Sequence, residues 1–303
     1  MASARPLVKE MGSTLKAFQG SDSKFRILKT VSSSTLHYED PKRPSDTESP
    51  RTLFILDSSF NPPSVAHRIL AMSALHKSNS DAFLRPHKLL LLFATMNADK
   101  APSAASFDQR LTLMSAFAAD LIESLREQPK DHSVVDVDIG VTTVPYYTDK
   151  SAAIEAEGKE WYPDRPKHIH LVGFDTLTRF FTAKYYKDFD PPFSALNPYF
   201  DAGHRLRVTL RPDDDYGSVE DQKAFVRKLE DGTMEQDGGK REWAKQVELV
   251  PPNPQAGVSS TRIRKAAKRA DWREIEQLCT PGIVEWVKSE KLYAEDDVGA
   301  KMA

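Results

Sequence analysis

A doubly wound α/β domain with a mainly parallel sheet is the fold this sequence predicts, and three observations predict it. Short, continuous apolar runs recur along the chain, which is the pattern of strands buried on both faces. Each run feeds a polar turn and then apolar residues at helical spacing. After the last run a Pro-rich stop, Pro251-Pro252-Asn253-Pro254, gives way to a closing set of helices.

Taken in order, residues 1–50 are expected to be an irregular segment and linker. Within it, residues 15–28 predict a short helix packed on the body, and residues 32–50 a loose stretch rich in Ser, Thr, Pro and Asp. Residues 53–56, Leu-Phe-Ile-Leu, are the first strand, and Val65, Ile69, Leu70 and Leu75 mark the helix that follows its turn. Residues 88–93 are the second strand. They run into a loop ending at Lys100 and a helix opening near Ser106, with Phe107, Arg110, Leu111, Met114 and Phe117 in register. Residues 134–139 are the third strand. Thr148 is placed to cap the helix through Ala152 and Ile154. Residues 168–175 are the fourth strand, ending in Gly173-Phe174-Asp175 and followed by an aromatic-rich helix. Residues 205–211 are the fifth, ending at Arg211. A helix over 218–228 then precedes an acidic, Gly-rich loop at 231–240 that reads as mobile, and residues 247–250 are the last strand. The domain is expected to span 51–295, with 296–303 as a tail.

The 303 residues suffice to bury a substantial core. With 42 basic and 44 acidic residues the net charge is −2, so charge predicts neither a nucleic acid nor a membrane partner. A single cysteine, Cys279, excludes an internal disulfide framework and fits a reducing compartment. No apolar run has the length of a membrane span, and the N-terminus lacks the apolar core of a secretory signal. A cytoplasmic protein is expected, with the nucleus as a further compartment. Oligomeric state is not encoded in any of these features.

The chemistry concentrates at residues 58–67, Ser-Ser-Phe-Asn-Pro-Pro-Ser-Val-Ala-His. A strand feeding a turn that feeds a helix N-terminus makes an anion site, because the first helical N–H groups lack intrahelical partners and the helix dipole favours negative charge there. His67 lies in that first turn, where its ring can reach a phosphate oxygen. A second such start is Val258-Ser259-Ser260-Thr261-Arg262-Ile263-Arg264, with hydroxyls at the cap and Arg264 one turn in. Asp175, just past a strand end, can accept from ribose hydroxyls. On their own residues, Lys100 is a solvated loop charge and Thr148 a plain N-cap. His168 and His170, alternating on one strand face, read as hydrogen-bonded residues rather than a zinc site.

Both starts resemble the signatures of the nucleotidyltransferase superfamily. The first is a small residue, any residue, Phe-Asn-Pro and a His/Thr-x-Gly-His element, matched by Ser58, Phe60, Asn61, Pro62 and His67; the second is Ile-Ser-Ser-Thr-x-Ile-Arg. Ser64 stands where His or Thr is usual and Ala66 where Gly is usual. The loop before Lys100 and the Phe-x-x-Arg-x-x-x-Met helix add to the likeness. The closing helices, through Tyr293, resemble the nicotinamide mononucleotide adenylyltransferases, above all the fungal ones.

The resemblance implies a Rossmann-like fold and transfer of an adenylyl group from ATP to a mononucleotide, giving a dinucleotide (NAD) and pyrophosphate. It implies that His67, Lys100 and Arg264 act in catalysis. Ser59, Phe60, Ser64, His67, Ser259, Ser260, Thr261 and Arg264 would hold ATP and its phosphates. Gly173, Asp175 and Arg211 would lie against the nucleotide, and Lys100, Tyr147 and Thr148 toward the acceptor. Magnesium would be held through the phosphates, with no protein metal site. Two alternatives stand beside this: a nucleotide-binding regulator or scaffold, which the Ser64 and Ala66 departures motivate, and adenylyl transfer to another acceptor.

Overall fold

The computed structural model describes residues 5–33, 49–96, 105–211 and 216–294. The helices and strands follow in chain order as α1 (Arg5–Gln19), β1 (Phe25–Val31), β2 (Thr52–Asp57), α2 (Val65–Leu75), α3 (Lys77–Ser80), β3 (His87–Ala94) and α4 (Phe107–Glu127). Next come β4 (Val137–Thr142), α5 (Tyr147–Glu157), β5 (Lys167–Gly173), α6 (Phe174–Phe180), α7 (Asn197–Asp201) and β6 (Arg205–Thr209). The last are α8 (Val219–Glu230), β7 (Val247–Val250), α9 (Ser260–Lys268), α10 (Trp272–Leu278) and α11 (Pro281–Ser289).

Seven strands form one sheet in the order β1-β4-β3-β2-β5-β6-β7. All neighbours are parallel except β1, which pairs antiparallel with β4. From β2 the chain winds outward through β3 and β4, then returns to lay β5 on the opposite side of β2 and continues to β6 and β7. The order therefore reverses between β2 and β5, and a crevice opens there beyond the strands' carboxyl ends.

The central strands are apolar without interruption because helices cover both faces. Phe54, Leu56, Leu89, Leu91 and Phe93 join a core with residues of α1, α2, α4, α9, α10 and α11. Their alternates Leu53, Ile55, Leu90 and Leu92 pack with Ala153 and Ile154 of α5. A third cluster, with Phe180, Phe181, Tyr199, Phe200 and Trp243, underlies β5 and β6. This accounts for most of the aromatic-rich stretch as packing. Gly140 is needed at the crowded end of β4, where a Cβ would lie 3.0 Å from Leu90 and 3.1 Å from Phe25.

Four expectations are corrected. The helix expected at 15–28 lies at Arg5–Gln19, and Phe25–Val31 is a strand. Met11, Leu15 and Phe18 form its buried stripe, whereas Phe25 and Ile27 pack on the α5 side and Leu28 on the other, the alternation of a strand. The third strand starts at Val137 rather than at residue 134, in register with Leu89 of β3. Thr148 is not a cap, because α5 begins at Tyr147 behind an extended Tyr146. The 231–240 stretch, expected as a mobile loop, is a run of tight turns holding buried Met234. Among the described residues no helix is long and apolar enough to cross a membrane.

Candidate functional site

Both signatures meet at the β2/β5 reversal. The first occupies the loop from Ser58 and the start of α2, and the second starts α9. They are tied directly: the Ser260 hydroxyl donates to the Pro62 carbonyl at 2.9 Å, and Arg264 Nη1 donates to the Asn61 carbonyl at 2.8 Å. Two helix N-termini thus bear on one loop, which concentrates positive potential where a polyphosphate can lie.

His67 is the third residue of α2, and its Nδ1 faces the Ser64 backbone amide at 3.0 Å and the Ser64 hydroxyl at 2.8 Å. Its Nε2 lies 2.8 Å from the Ser58 hydroxyl. One ring face packs near Phe60 and another edge near Phe117, with centroids 5.3 and 6.4 Å away. Ser64 is fully buried, so its hydroxyl serves the imidazole. Phe60 is also fully buried and has φ +45°, a left-handed backbone uncommon for a bulky residue. Its ring is therefore a packing group.

On α9, Ser259 is the N-cap and accepts from the Arg262 amide at 3.3 Å. Thr261 accepts from Arg264 Nη2 at 3.1 Å. Ser259 and Thr261 are exposed, whereas the Ser260 proton is committed to the loop. The cation expected from the second strand's loop, Lys100, lies outside the described residues.

The crevice beyond β2 and β5 is more polar than the sequence suggested. Asp57, the last residue of β2, makes a buried ion pair with Lys150 of α5, their side chains 8% and 5% exposed. The Lys150 ammonium also sits 4.9 Å from the Tyr147 ring centroid. Burial, then Asp57 and Asp175, raises the Tyr147 phenol well above its usual range, so it stays a neutral donor. Asp175 lies in the first turn of α6, and its Oδ1 is 3.8 Å from Arg211 Nη1. A Cβ at Gly173 would come within 2.7 Å of that same Oδ1, so glycine leaves room for the carboxylate. Thr148, the second residue of α5, is half-buried beside Tyr147.

Sequence reasoning missed Arg110, Tyr293 and the Asp57–Lys150 pair. Arg110 is buried and donates to the Ser59 carbonyl from Nε at 2.8 Å and Nη2 at 2.5 Å. Desolvation lowers its guanidinium to about 10. The Tyr293 hydroxyl donates to Asn61 Oδ1 at 2.7 Å. The Phe-x-x-Arg spacing flagged Arg110 as part of a motif, but its partner lies 51 residues away in sequence.

Two other groups lie outside this chemistry. His168 and His170 were expected to be hydrogen-bonded. Instead both ring nitrogens of His168 lack partners, while His170 Nε2 meets Ser151 at 3.0 Å. No cluster of metal-ligating side chains occurs among the described residues. Burial pushes the Cys279 thiol up to about 12, so it is no nucleophile. A concavity of about 520 Å³ at the outer edge of β1, lined by Arg26, Glu157 and Trp161 among others, includes no residue of either signature.

No family model matches the chain. It is 28% identical over 226 residues to a Schizosaccharomyces pombe protein described as "putative nicotinamide mononucleotide adenylyltransferase", covering 74% of this chain and 78% of that one. Among solved structures it is similar to the Plasmodium falciparum nicotinic acid mononucleotide adenylyltransferase complexed with APC. That match has 12% identity and a TM-score of 0.45, over 81% of this chain and 98% of that one. It is also similar to a Vibrio parahaemolyticus structure described as a "putative nicotinate-nucleotide adenylyltransferase", with 14% identity and a TM-score of 0.31, over 78% and 99%. The chain is thus similar over 74% of its length to the fission-yeast relative, and its two signature-like stretches meet at the strand-order reversal.

Proposed function

We propose that the protein joins a pyridine mononucleotide, nicotinamide mononucleotide first among them, to the adenylyl group of ATP. The observation that carries this reading is the convergence of the α2 and α9 N-termini on the Ser58–Ser64 loop, with His67 Nε2 facing the same side as Ser58. The relative's described activity supports the choice of acceptor.

In this reading an oxygen of the acceptor's phosphate attacks the α-phosphorus of ATP. The new P–O bond forms as the bond to the bridging oxygen of the β-phosphate breaks, and pyrophosphate leaves with that electron pair. No protein nucleophile takes part. The chain's contribution is alignment and stabilisation of the charge that moves between oxygens. His67 exchanges its Ser58 contact for the α-phosphate and donates from Nε2. Ser259, Thr261 and Arg264 hold the β- and γ-phosphates together with the exposed amides of α9. Lys100 adds positive charge between the substrates. Asp175 accepts from ribose, Arg211 flanks it, and Tyr147 and Thr148 face the acceptor.

The donors gathered at the signatures are hydroxyls, amides and cations, a set that fits an anion and not a metal cage. Magnesium is accordingly proposed to arrive with ATP, bound by its phosphates, and no step is assigned to it. A cytoplasmic or nuclear location belongs to the same proposal, supported by the single cysteine.

The test is to mix purified protein with ATP, magnesium and either nicotinamide or nicotinate mononucleotide, and to identify products by mass. A dinucleotide with equimolar pyrophosphate is expected. Tight ATP binding without product from any acceptor would instead establish a binding-only regulator.

A further inference from the structure

The signature loop is gripped on its carbonyl side by two residues that nothing so far has placed in the reaction. Arg110 binds the Ser59 carbonyl with both Nε and Nη2, at 2.8 and 2.5 Å. Tyr293, from the segment after α11, binds the Asn61 side-chain oxygen at 2.7 Å. Between these two anchors lies Phe60 at φ +45°. A bulky residue held in a sparsely populated conformation persists only where its surroundings over-determine it.

The geometry says what the grip accomplishes. In a trans peptide the N–H points opposite to the C=O. Holding the Ser59 carbonyl toward Arg110 therefore turns the Phe60 amide the other way. Phe60 is itself fully buried, so the grip fixes the orientation of this peptide inside the loop beside His67, whose ring centroid lies 5.3 Å from that of Phe60. Neither anchor can reach the ligand itself. Arg110 is 5% exposed, and its guanidinium lies 4.5 Å from the Phe93 ring centroid and 5.4 Å from that of Phe107. Tyr293 is 8% exposed. A buried guanidinium carries a desolvation cost that an apolar side chain between two phenyl rings would avoid. Its two bonds to the Ser59 carbonyl point to a shape requirement rather than to core stability.

We propose that Arg110 and Tyr293 are positioning residues of the nucleotide site, holding the Ser59–Asn61 backbone in the form that presents His67 to the ATP phosphates. This rests on the adenylyl-transfer reading for its kinetic arm only. Its binding arm needs only that the loop receives phosphates.

Tyr293→Phe, which removes one oxygen, is the primary variant; Arg110→Gln and Arg110→Lys accompany it. Three quantities are measured on each full-length protein: affinity for non-cleavable α,β-methylene ATP by calorimetry, kcat and KM for dinucleotide formation, and the thermal midpoint. Misplacing reacting groups by about 1 Å costs up to about 100-fold in rate. Tyr293→Phe is expected to lose about tenfold in kcat, and Arg110→Gln up to about 100-fold. Each variant should bind the analogue several-fold more weakly, with Arg110→Lys in between because it keeps one donor. A Tyr293→Phe protein with wild-type kcat and analogue affinity overturns the proposal, whatever its midpoint. Should the Arg110 variants fail to fold, Tyr293→Phe alone decides. Should the wild type bind the analogue but make no dinucleotide, the adenylyl-transfer reading fails, and analogue affinity decides the positioning role by itself.

Discussion

The Ser64 backbone amide donates to Nδ1 of His67 at 3.0 Å, and that bond selects the ring's neutral tautomer. An amide N–H can only donate, so Nδ1 must accept and the proton sits on Nε2, directed at Ser58. His67 is thus a preset donor. A donor aimed at charge that grows in the transition state matters more to turnover than to ground-state binding. His67→Ala is expected to lose about 100–1000-fold in kcat, while ATP affinity stays within a few-fold. His67→Asn, whose amide can still donate, should keep part of the activity. Nitrogen NMR of the free protein above the ring's titration should show the Nε2–H tautomer; an Nδ1–H signal would remove the basis for the donor role.

Arg264 does two things at once. It supports the loop through the Asn61 carbonyl, and it stands one turn inside α9 beside the exposed hydroxyls of Ser259 and Thr261. Arg264→Ala is expected to weaken ATP binding by at least tenfold, about 1.4 kcal/mol. It should also lower stability without ligand by about 1–2 kcal/mol for the lost charged hydrogen bond. Titration calorimetry and urea denaturation separate the two effects. Arg264→Lys should retain charge but not the fork, and so recover only part of the affinity. Unchanged ATP affinity in Arg264→Ala would make the residue purely a loop support.

The Asp57–Lys150 pair is buried on both sides. Removing one member leaves an uncompensated charge, which costs about 3–5 kcal/mol. Lys150→Met is expected to fall in that range by chemical denaturation. Asp57→Asn with Lys150→Met should recover much of the loss, because no buried charge then remains. A single variant as stable as wild type would show that water reaches the pair.

Three imidazoles on and beside β5 contribute to the response to acid, alongside His87 and His132, whose titration burial also lowers. His168 stacks on His204 with centroids 4.1 Å apart, and His170 lies 6.3 Å from His168. Burial first, then neighbouring histidine and lysine charge, pushes His168 and His170 well below the usual 6.5. Burial, then Lys167, brings His204 to about 4. In the unfolded chain all three take up protons as pH falls through about 6.5. In the folded chain they stay neutral, so the unfolded state binds more protons and stability drops. Each neutral ring adds a slope of about 1.4 kcal/mol per pH unit in that window. For His204 the slope ends near pH 4, where the folded form also protonates. His168→Phe removes a ring whose nitrogens have no partners. It should leave stability at pH 7.5 nearly unchanged and flatten its fall toward pH 5. An identical pH slope in wild type and variant would exclude His168 from the effect.

Much of the architecture was legible because the central strands are covered on both faces. Leu53-Phe54-Ile55-Leu56 and Leu89 to Phe93 admit no polar residue, and such runs are read as strands directly. The two signatures were legible because their residue order encodes a local shape, a strand or turn entering a helix. β1 was hidden by its own composition. Arg26, Lys29 and Thr30 interrupt its apolar residues, and only the pairing with β4 gives them a place. Thr148 misled because a hydroxyl before a helical pattern is a cap only if the preceding turn stops there, and here the helix begins one residue earlier. The contacts of Arg110, Tyr293 and Lys150 were illegible, since each bonds a residue far away in the chain: Ser59, Asn61 and Asp57.

The antiparallel pairing of β1 also has a bearing on how the protein can be shortened. A version beginning at residue 51, where the first signature strand starts, would strip β4 of the neighbour that now takes up its outer backbone groups from Val137 to Thr142. All six of those residues are buried. The result would be an uncovered edge strand with open amides and carbonyls, the kind of edge on which separate chains pair and aggregate. β1 is in this sense a solubility element that ends the sheet, with half-buried Arg26 at its edge and Lys29 buried against Glu10 of α1, and its first amides are held by the Glu157 carboxylate at about 3.0 Å.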